Sequence, residues 1–290
     1  MFKRQTTGSV VCASCGSLVG VNDAQCYSCG RRNPGLWGFA PLLRRMGNDL
    51  GFLTIVVYGC AALYVLSLLL TLKDGADIMG SGLFSILHPG SLATLRLGVS
   101  GAVPVFQLGM WWTVLSAGWL HGSALHIVFN MMALRQIAPA AADIYGGSRV
   151  VIIYTVSSAC GFLLSSTAGY VMPALPIIGG APFTLGASAA IFGLVGALMH
   201  YGRRGGSSLM TSQLTSYVVS MAIFGLIVPN IDNYAHAGGF AGGYLVGMWL
   251  DPLKPERINH MLGAILCLVA TLLAILASLV FVTAQMRLAQ

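Results

Sequence analysis

The most informative stretches of this chain are residues 186–189, GASA, and residues 235–239, AHAGG. Each lies in an apolar run long enough to predict a membrane helix. The hydroxyl of Ser188 and the imidazole of His236 are therefore expected at lipid depth, where such side chains normally face a cavity or a partner. Together they suggest a nucleophile and its general base. We expect the two helices to bring these side chains into contact.

The composition is that of a polytopic membrane protein. Of 290 residues, 56% are hydrophobic and 8% are charged, against about 25% charged in soluble domains, and the mean hydropathy is +0.80. The predicted fold class is therefore all-α. We place seven spans of roughly 20 residues, the fourth and sixth being short, at 50–72, 121–141, 150–171, 186–201, 208–228, 234–250 and 259–284. The first 40 residues contain no signal-like apolar run, so we expect the N-terminus to be retained.

The net charge of +7 is unevenly distributed along the chain. With seven spans, twelve of the fifteen basic residues fall on one side, and only Lys73, Arg96 and Arg287 fall on the other. This is the positive-inside pattern. It predicts a multi-pass protein of the bacterial inner membrane, with a cytoplasmic N-terminus and an external C-terminus. A nucleic-acid-binding basic patch, the alternative, fits this distribution less well, and we expect no nucleic-acid partner.

Four of the seven cysteines form a compact pattern before the first span. Cys12 and Cys15, and then Cys26 and Cys29, are separated by two residues, and a glycine follows each pair. Four thiolates at this spacing predict a structural zinc site of the zinc-ribbon type within residues 1–33. An iron site or a redox dithiol is the alternative, and a disulfide is disfavoured in a reducing cytoplasm.

The acidic residues exclude two kinds of intramembrane protease. Glu256 is the only glutamate and lies in a predicted loop, so no His-Glu-x-x-His metalloprotease helix is present. None of the eight acidic residues lies at the centre of a span, which excludes an aspartyl pair. Asp232, the only carboxylate near His236, lies at a span edge. A catalytic site here would therefore be a Ser–His dyad.

Small residues predict that spans four and six pack closely. Gly239, Gly243 and Gly247 recur at every fourth position, and such ladders allow helix backbones to approach in membranes. Gly242 is offset from this ladder by about 100° and is expected to lie off the interface, so that a bulky side chain is better tolerated there.

The alternative to a catalytic pair is that Ser188 bonds within its own helix and that His236 links helices.

The second span adds two polar side chains. His126 and Asn130 are four residues apart and therefore share a helix face. Both donate hydrogen bonds without carrying a charge, which suits an oxyanion hole completed by the Ser188 amide. His121 precedes them by about one turn and is expected to support them. A purely structural polar network between helices is the alternative.

These motifs resemble those of the rhomboid intramembrane serine proteases. The matching residues are His121, His126 and Asn130, followed by the stretches around Ser188 and His236, in the family's order. The resemblance implies that Ser188 is the nucleophile and His236 the base, and that His126 and Asn130 are oxyanion donors. Peptide hydrolysis would then proceed through an acyl-enzyme.

The resemblance also implies an architecture and a substrate class. The six-helix catalytic core would occupy residues 50–250, after a linker over 34–49, and residues 251–290 would add a loop and a seventh helix. Phe192 matches the aromatic position that stacks on the catalytic imidazole. Substrates would be transmembrane segments of proteins in the lipid bilayer, and catalysis would need no cofactor. Independently of the resemblance, we expect the zinc module to meet a cytoplasmic protein partner, because a metal-braced module offers a rigid surface but no nearby catalytic group.

One position departs from the family pattern. Residues 109–113, GMWWT, align with the family's Trp-Arg motif in the long first loop, and Thr113 stands at the arginine position. That arginine is structural in the family rather than catalytic. We therefore expect the anchoring of the loop to differ, and not the chemistry.

Two other functions are weighed against proteolysis. A rhomboid-like protein without activity would bind or escort membrane clients, but such proteins usually lack the serine or the histidine, and both are present here. A transporter or channel would call for intramembrane charges or an internal repeat, and the sequence shows neither.

Overall fold

The computed structural model describes residues 4–13, 15–41, 49, 51–80, 82, 85–172, 180–228, 231–254 and 256–288. The strands and α-helices within these ranges are β1 Ser9–Val11, β2 Leu18–Gly20, α1 Phe52–Lys73, α2 Ser91–Leu97, α3 Thr113–Ser116, α4 Ala124–Tyr145, α5 Gly147–Val171, α6 Ser188–Arg204, α7 Ser208–Ile227, α8 Asn233–Trp249 and α9 Ile258–Leu288. Part of the predicted linker, the predicted start of the core at residue 50, and the basic residues Lys3, Arg44 and Arg45 lie outside the described residues.

Each of the seven predicted spans corresponds to one helix, and the chain is an integral membrane protein. Four of these helices, α1, α5, α7 and α9, are by themselves long and apolar enough to cross a bilayer. Helices α6 and α8 have 17 residues each. At 1.5 Å per residue they are about 26 Å long, which is shorter than a hydrocarbon core of about 30 Å. The prediction that these two are short is confirmed.

Helix α6 lies at the centre of the bundle, and every residue from 189 to 199 is buried. Three glycines of α8 face α6 so closely that an added Cβ would collide with it; the pairs are Gly239 with Ala189, Gly243 with Gly193, and Gly247 with Ala197. The predicted glycine ladder between these helices is confirmed.

A second glycine face of α8 contacts α5. A Cβ added at Gly238 would lie 2.9 Å from the Cys160 carbonyl oxygen, and one at Gly242 would lie 2.8 Å from the Cys160 Cβ. Gly242 is therefore off the α6 interface, as predicted. A bulky side chain at Gly242 would nevertheless meet the Cys160 side chain, because α8 lies between two helices and an offset of about 100° leads onto the second. That such a side chain is better tolerated at Gly242 than at Gly243 stays a prediction.

The first loop, between α1 and α4, packs back against the chain that leads into α6. Ser100 and Thr184 exchange both backbone hydrogen bonds, at 3.0 and 2.7 Å, and the Gly186 N–H donates to the Ala117 oxygen at 3.0 Å. Thr113 is fully buried, and its hydroxyl donates to the Met110 oxygen of its own turn at 2.8 Å. The loop thus forms one wall around the segment before Ser188.

The N-terminal module is a β-hairpin with a very small core. Strands β1 and β2 are antiparallel, with Val10 opposite Val19. These valines pack with Val21 and with two of the cysteines. A core of this size leaves most of the folding free energy to another source, such as a bound metal.

Candidate active site

Ser188 and His236 meet at the beginning of the two short helices. Ser188 is the first residue of α6, and His236 lies in the first turn of α8. The His236 Nε2 is 2.9 Å from the Ser188 Oγ, which is the distance of an ordinary hydrogen bond. The close glycine contacts of α8 with α6 make this approach possible, since bulkier residues would separate the helix axes.

Packing, rather than a carboxylate, orients the His236 ring. The ring of Phe192 stacks on it with a centroid distance of 4.3 Å and an interplanar angle of 13°, as the family resemblance implies. The other ring nitrogen, Nδ1, is buried, and no described residue forms a hydrogen bond with it. The described residues therefore form a Ser–His pair, and no acidic side chain among them occupies the third position of a triad.

Asp232 instead holds the start of helix α8. Its Oδ1 accepts a hydrogen bond from the Ala235 N–H at 2.9 Å, which caps the helix. Its Oδ2 accepts one from the Ser165 hydroxyl of α5 at 2.5 Å. Both oxygens are thus engaged away from the His236 ring. Ser165 was not found from the sequence, because nothing near it in the chain signals a partner 67 residues away.

His126 points its second ring nitrogen toward the nucleophile. The Gly122 N–H donates to His126 Nδ1 at 3.3 Å, so the proton of the neutral ring resides on Nε2. A Cβ added at Gly186 would lie 2.6 Å from this Nε2 and 3.8 Å from the Ser188 Oγ. Gly186 therefore lies between the two side chains, and its φ of +130° also favours glycine.

Asn130 lies one turn further along α4 and is buried. Its Nδ2 donates to the His126 oxygen of the same helix at 2.9 Å. The second N–H of the amide remains for another acceptor. The structure thus brings Ser188, His236 and His126 into one cluster, and it places Asn130 one turn below His126 with no hydrogen bond to either member of the dyad.

His121 is the most deeply buried polar ring near the site, with 1% of its surface exposed. Its ring packs edge-on against that of His126, with centroids 5.2 Å apart. Neither ring nitrogen has a hydrogen-bond partner among the described residues. This contact agrees with the expected supporting position of His121 behind His126.

The four N-terminal cysteines converge on one point. Their Sγ atoms all lie within 4.8 Å of one another; the Cys12–Cys29 separation is 3.8 Å and the Cys15–Cys26 separation is 3.6 Å. Four sulfurs that each lie about 2.3 Å from a tetrahedral zinc are about 3.8 Å apart. These residues therefore fit a small zinc module, and the separations are too long for disulfides.

Together these features define an integral membrane protein with a partly buried Ser–His pair near one end of a helical bundle. A family model described as Rhomboid domain matches residues 108–252, half of the chain. The chain belongs to the rhomboid family. The matched region contains His126, Asn130, Ser188 and His236.

Several relatives carry rhomboid names. The chain is 31% identical to Rhomboid protease GluP of Bacillus subtilis (strain 168) over 189 residues, 63% of this chain and 35% of that protein. It is 30% identical to RHOMBOID-like protein 7 of Arabidopsis thaliana over 219 residues, 68% of this chain and 64% of that protein. Putative rhomboid protease YdcA of B. subtilis is 27% identical over 179 residues. The chain thus spans less than two thirds of the length of the first two relatives.

Proposed function

We propose that this protein is an intramembrane serine protease that cleaves transmembrane segments of other membrane proteins. The observation that carries the proposal is the 2.9 Å contact between the Ser188 Oγ and the His236 Nε2, inside a family whose relatives include named proteases. A serine and a histidine with a purely structural role would not require the Phe192 ring stacked on the imidazole or the His126 donor near the serine.

The geometry supports a two-step hydrolysis. In the first step His236 Nε2 takes the Ser188 proton, Oγ forms a bond to the scissile carbonyl carbon, and the leaving amine receives that proton as the peptide bond breaks. In the second step His236 takes a proton from water, whose oxygen bonds to the acyl carbon. The ester bond to the Ser188 Oγ then breaks, the carboxylic acid product leaves, and the proton returns to Oγ. His236 Nδ1 keeps its own proton throughout.

The developing oxyanion would be stabilised by the His126 Nε2–H and the Ser188 N–H. Asn130 would contribute through its second amide hydrogen. One such donor is typically worth about 10²–10³ in kcat. Asn130→Ala should therefore lower kcat by that order and leave thermal unfolding unchanged. If the protein unfolds in parallel with the loss of activity, the amide has a structural role only.

The first experiment tests the nucleophile directly. Purified protein in detergent is treated with a fluorophosphonate, which loses fluoride as its phosphorus bonds to an activated serine oxygen. Wild type should be labelled and should cleave a generic transmembrane substrate, whereas Ser188→Ala should do neither. Ser212→Ala, which removes an exposed hydroxyl of α7, is the matched control and should behave as wild type. Equal labelling of wild type and Ser188→Ala would refute the assignment.

The same experiment separates proteolysis from client binding. A rhomboid-like client-binding protein would retain a transmembrane peptide in detergent without cleaving it and without reacting with the probe. Substrate access from the outer side of a bacterial inner membrane, with the N-terminus in the cytoplasm, is part of the proposal and is supported by the distribution of basic residues.

We further propose that residues 1–33 bind one zinc ion and present a rigid surface to a protein partner on the cytoplasmic side. Cys12, Cys15, Cys26 and Cys29 would be the ligands, and catalysis itself would need no cofactor. Metal analysis should find about one zinc per chain, lost when Cys12 and Cys15 are both replaced by serine. Deletion of residues 1–40 should preserve cleavage of a simple substrate. A chain free of metal after expression with ample zinc would contradict the first part, and an inactive truncation the second.

A further inference from the structure

The seventh membrane helix, α9, is bonded to the first loop. Trp112, in the turn before α3, donates its indole N–H to the Ser278 Oγ of α9 at 3.0 Å. The same indole packs edge-on against Phe281, with centroids 5.7 Å apart. Ser278 is fully buried. This is a specific joint between elements 166 residues apart in the sequence.

The loop is also closely fitted to α9 around this joint. A Cβ added at Gly98 would lie 2.8 Å from the Ser278 Oγ, and the Gly98 oxygen accepts a hydrogen bond from the Ser116 hydroxyl at 2.7 Å. Further along α9, the Arg96 guanidinium contacts the Met286 sulfur at 3.1 Å and forms an ion pair with Asp74 at 2.7 Å. The loop therefore contacts α9 at more than one level.

The far side of the same loop holds the segment that presents the nucleophile. Ala117, one turn after Trp112, accepts the Gly186 N–H two residues before Ser188. Ser100, two residues after Gly98, forms the double backbone bond with Thr184. A continuous path of hydrogen bonds and packed backbone thus leads from α9, through the loop, to the residues that set the position of Ser188.

We propose that α9 is a positioning element for catalysis, and that it acts on the first loop through the Trp112–Ser278 bond. Trp112 and Ser278 are positioning residues, since neither touches the dyad. The inference rests on the proposed protease function. It also explains how the loop is anchored with Thr113 at the family's arginine position. The short Thr113 side chain donates to Met110 of its own turn and to Ser100 at 3.4 Å, and both partners belong to the loop itself. Helix α9 then supplies the support from outside the loop.

The alternative is that α9 only adds buried surface and stability. The two roles differ in what a lost hydrogen bond changes. Loss of a stabilising contact lowers the unfolding temperature and leaves the folded enzyme equally reactive. Loss of a positioning contact lowers the reactivity of Ser188 in protein that is still folded, because a small displacement of reacting groups has a large effect on rate.

The experiment compares Ser278→Ala and Trp112→Phe with two matched controls. Thr271→Val removes another buried hydroxyl of α9, which donates to the Cys267 oxygen of the same helix at 2.9 Å. Trp111→Phe makes the same change at the exposed neighbour of Trp112, whose surface is 68% exposed. For each variant we would measure the rate of fluorophosphonate labelling, kcat and KM for a transmembrane substrate, and thermal unfolding.

Ser278→Ala and Trp112→Phe should each reduce kcat and the labelling rate by about 5- to 10-fold, the value of one neutral hydrogen bond, with KM unchanged. The double variant should be no slower than either single variant, since the bond is lost once. Both controls should match wild type. If Ser278→Ala fails to fold, Trp112→Phe, which keeps an aromatic ring, decides the question.

Rates equal to those of the controls, or losses that add in the double variant, would overturn the inference and leave the protease proposal intact. An unlabelled and inactive wild type would instead overturn the protease proposal, and this inference with it. The two failures are thus distinguished by the wild-type measurement alone.

Discussion

Helices α7 and α8 follow one another in the sequence, yet they are held in opposite ways. Helix α7 is apolar enough to span a bilayer, but of its twenty residues only Leu214 and Gly225 are buried. Helix α8 is shorter and rich in glycine, and its buried residues are Ala235 and five glycines. In a bilayer, apolar side chains gain little by moving from lipid into protein. Small residues that allow close packing therefore decide which helix is buried.

Beside the candidate active site, one helix is therefore held rigidly and the next one is largely exposed. Helix α8 carries His236 and is fixed between α5 and α6. Helix α7 contacts this region through its Tyr217, whose ring is 6.1 Å from that of Phe192. It is also joined to α8, where the Asn233 amide donates to the Gly225 oxygen of α7 at 3.0 Å. The catalytic geometry is expected to be sensitive to changes in α8 and tolerant of changes in α7.

The largest effect is expected for Gly243→Val. The added side chain would collide with the backbone of Gly193, and backbone cannot be moved by a second substitution. Since a displacement near 1 Å can reduce the rate about 10²-fold, cleavage should fall at least that far. Ala241→Val, on the exposed side of α8, is the control and should retain activity. Near-normal cleavage by Gly243→Val would show that this interface does not set the Ser188–His236 distance.

Gly242→Ala should have a smaller and repairable effect. Its Cβ would meet the side chain of Cys160, at 2.8 Å from Cβ and 3.1 Å from Sγ. Overpacking of this kind typically destabilises by about 1–3 kcal/mol. The double variant with Cys160→Gly should recover much of the loss in thermal stability and cleavage. Absence of recovery would mean that α5 and α8 do not meet as described.

Asn233→Ala tests the joint between the two helices. Loss of its hydrogen bond to Gly225 should lower stability by about 1 kcal/mol, measured by denaturant or thermal unfolding, and should reduce cleavage only a few-fold. The dyad distance does not depend on this bond. A loss as large as that of Gly243→Val would show that α7 is part of the rigid catalytic frame.

The smallest effect is expected for Leu226→Ala in α7. This side chain is 64% exposed and faces lipid in both the wild type and the variant. Stability should change by less than about 0.5 kcal/mol, and cleavage should be unchanged. A marked loss would indicate that this face of α7 is covered by another protein segment.

The sequence was sufficient for features that are local or periodic. Hydropathy predicted the seven long helices of the bundle to within a few residues, the four-residue glycine spacing predicted the α6–α8 contact, and the paired cysteines predicted the sulfur cluster. The proximity of Ser188 and His236 also followed, because two polar groups on close-packed helices at the same depth have few other partners.

Features that join distant segments were not predictable. The second glycine face of α8 has no signal of its own, because a spacing pattern does not say how many neighbours a helix has. The Ser165–Asp232 and Trp112–Ser278 bonds join ordinary residues across 67 and 166 positions. Their partners are defined only by the packing of the whole bundle.

The stacked ring of Phe192 has a consequence for the charge that appears during turnover. In the proposed mechanism His236 becomes an imidazolium when it accepts the Ser188 proton, and no described carboxylate forms a hydrogen bond with its other nitrogen. The face of a benzene ring carries the negative part of its quadrupole. Its interaction with a cation within about 6 Å contributes about 0.5–2 kcal/mol. At a centroid distance of 4.3 Å, the Phe192 ring would stabilise this positive charge as a counter-ion does, and only while the histidine carries it.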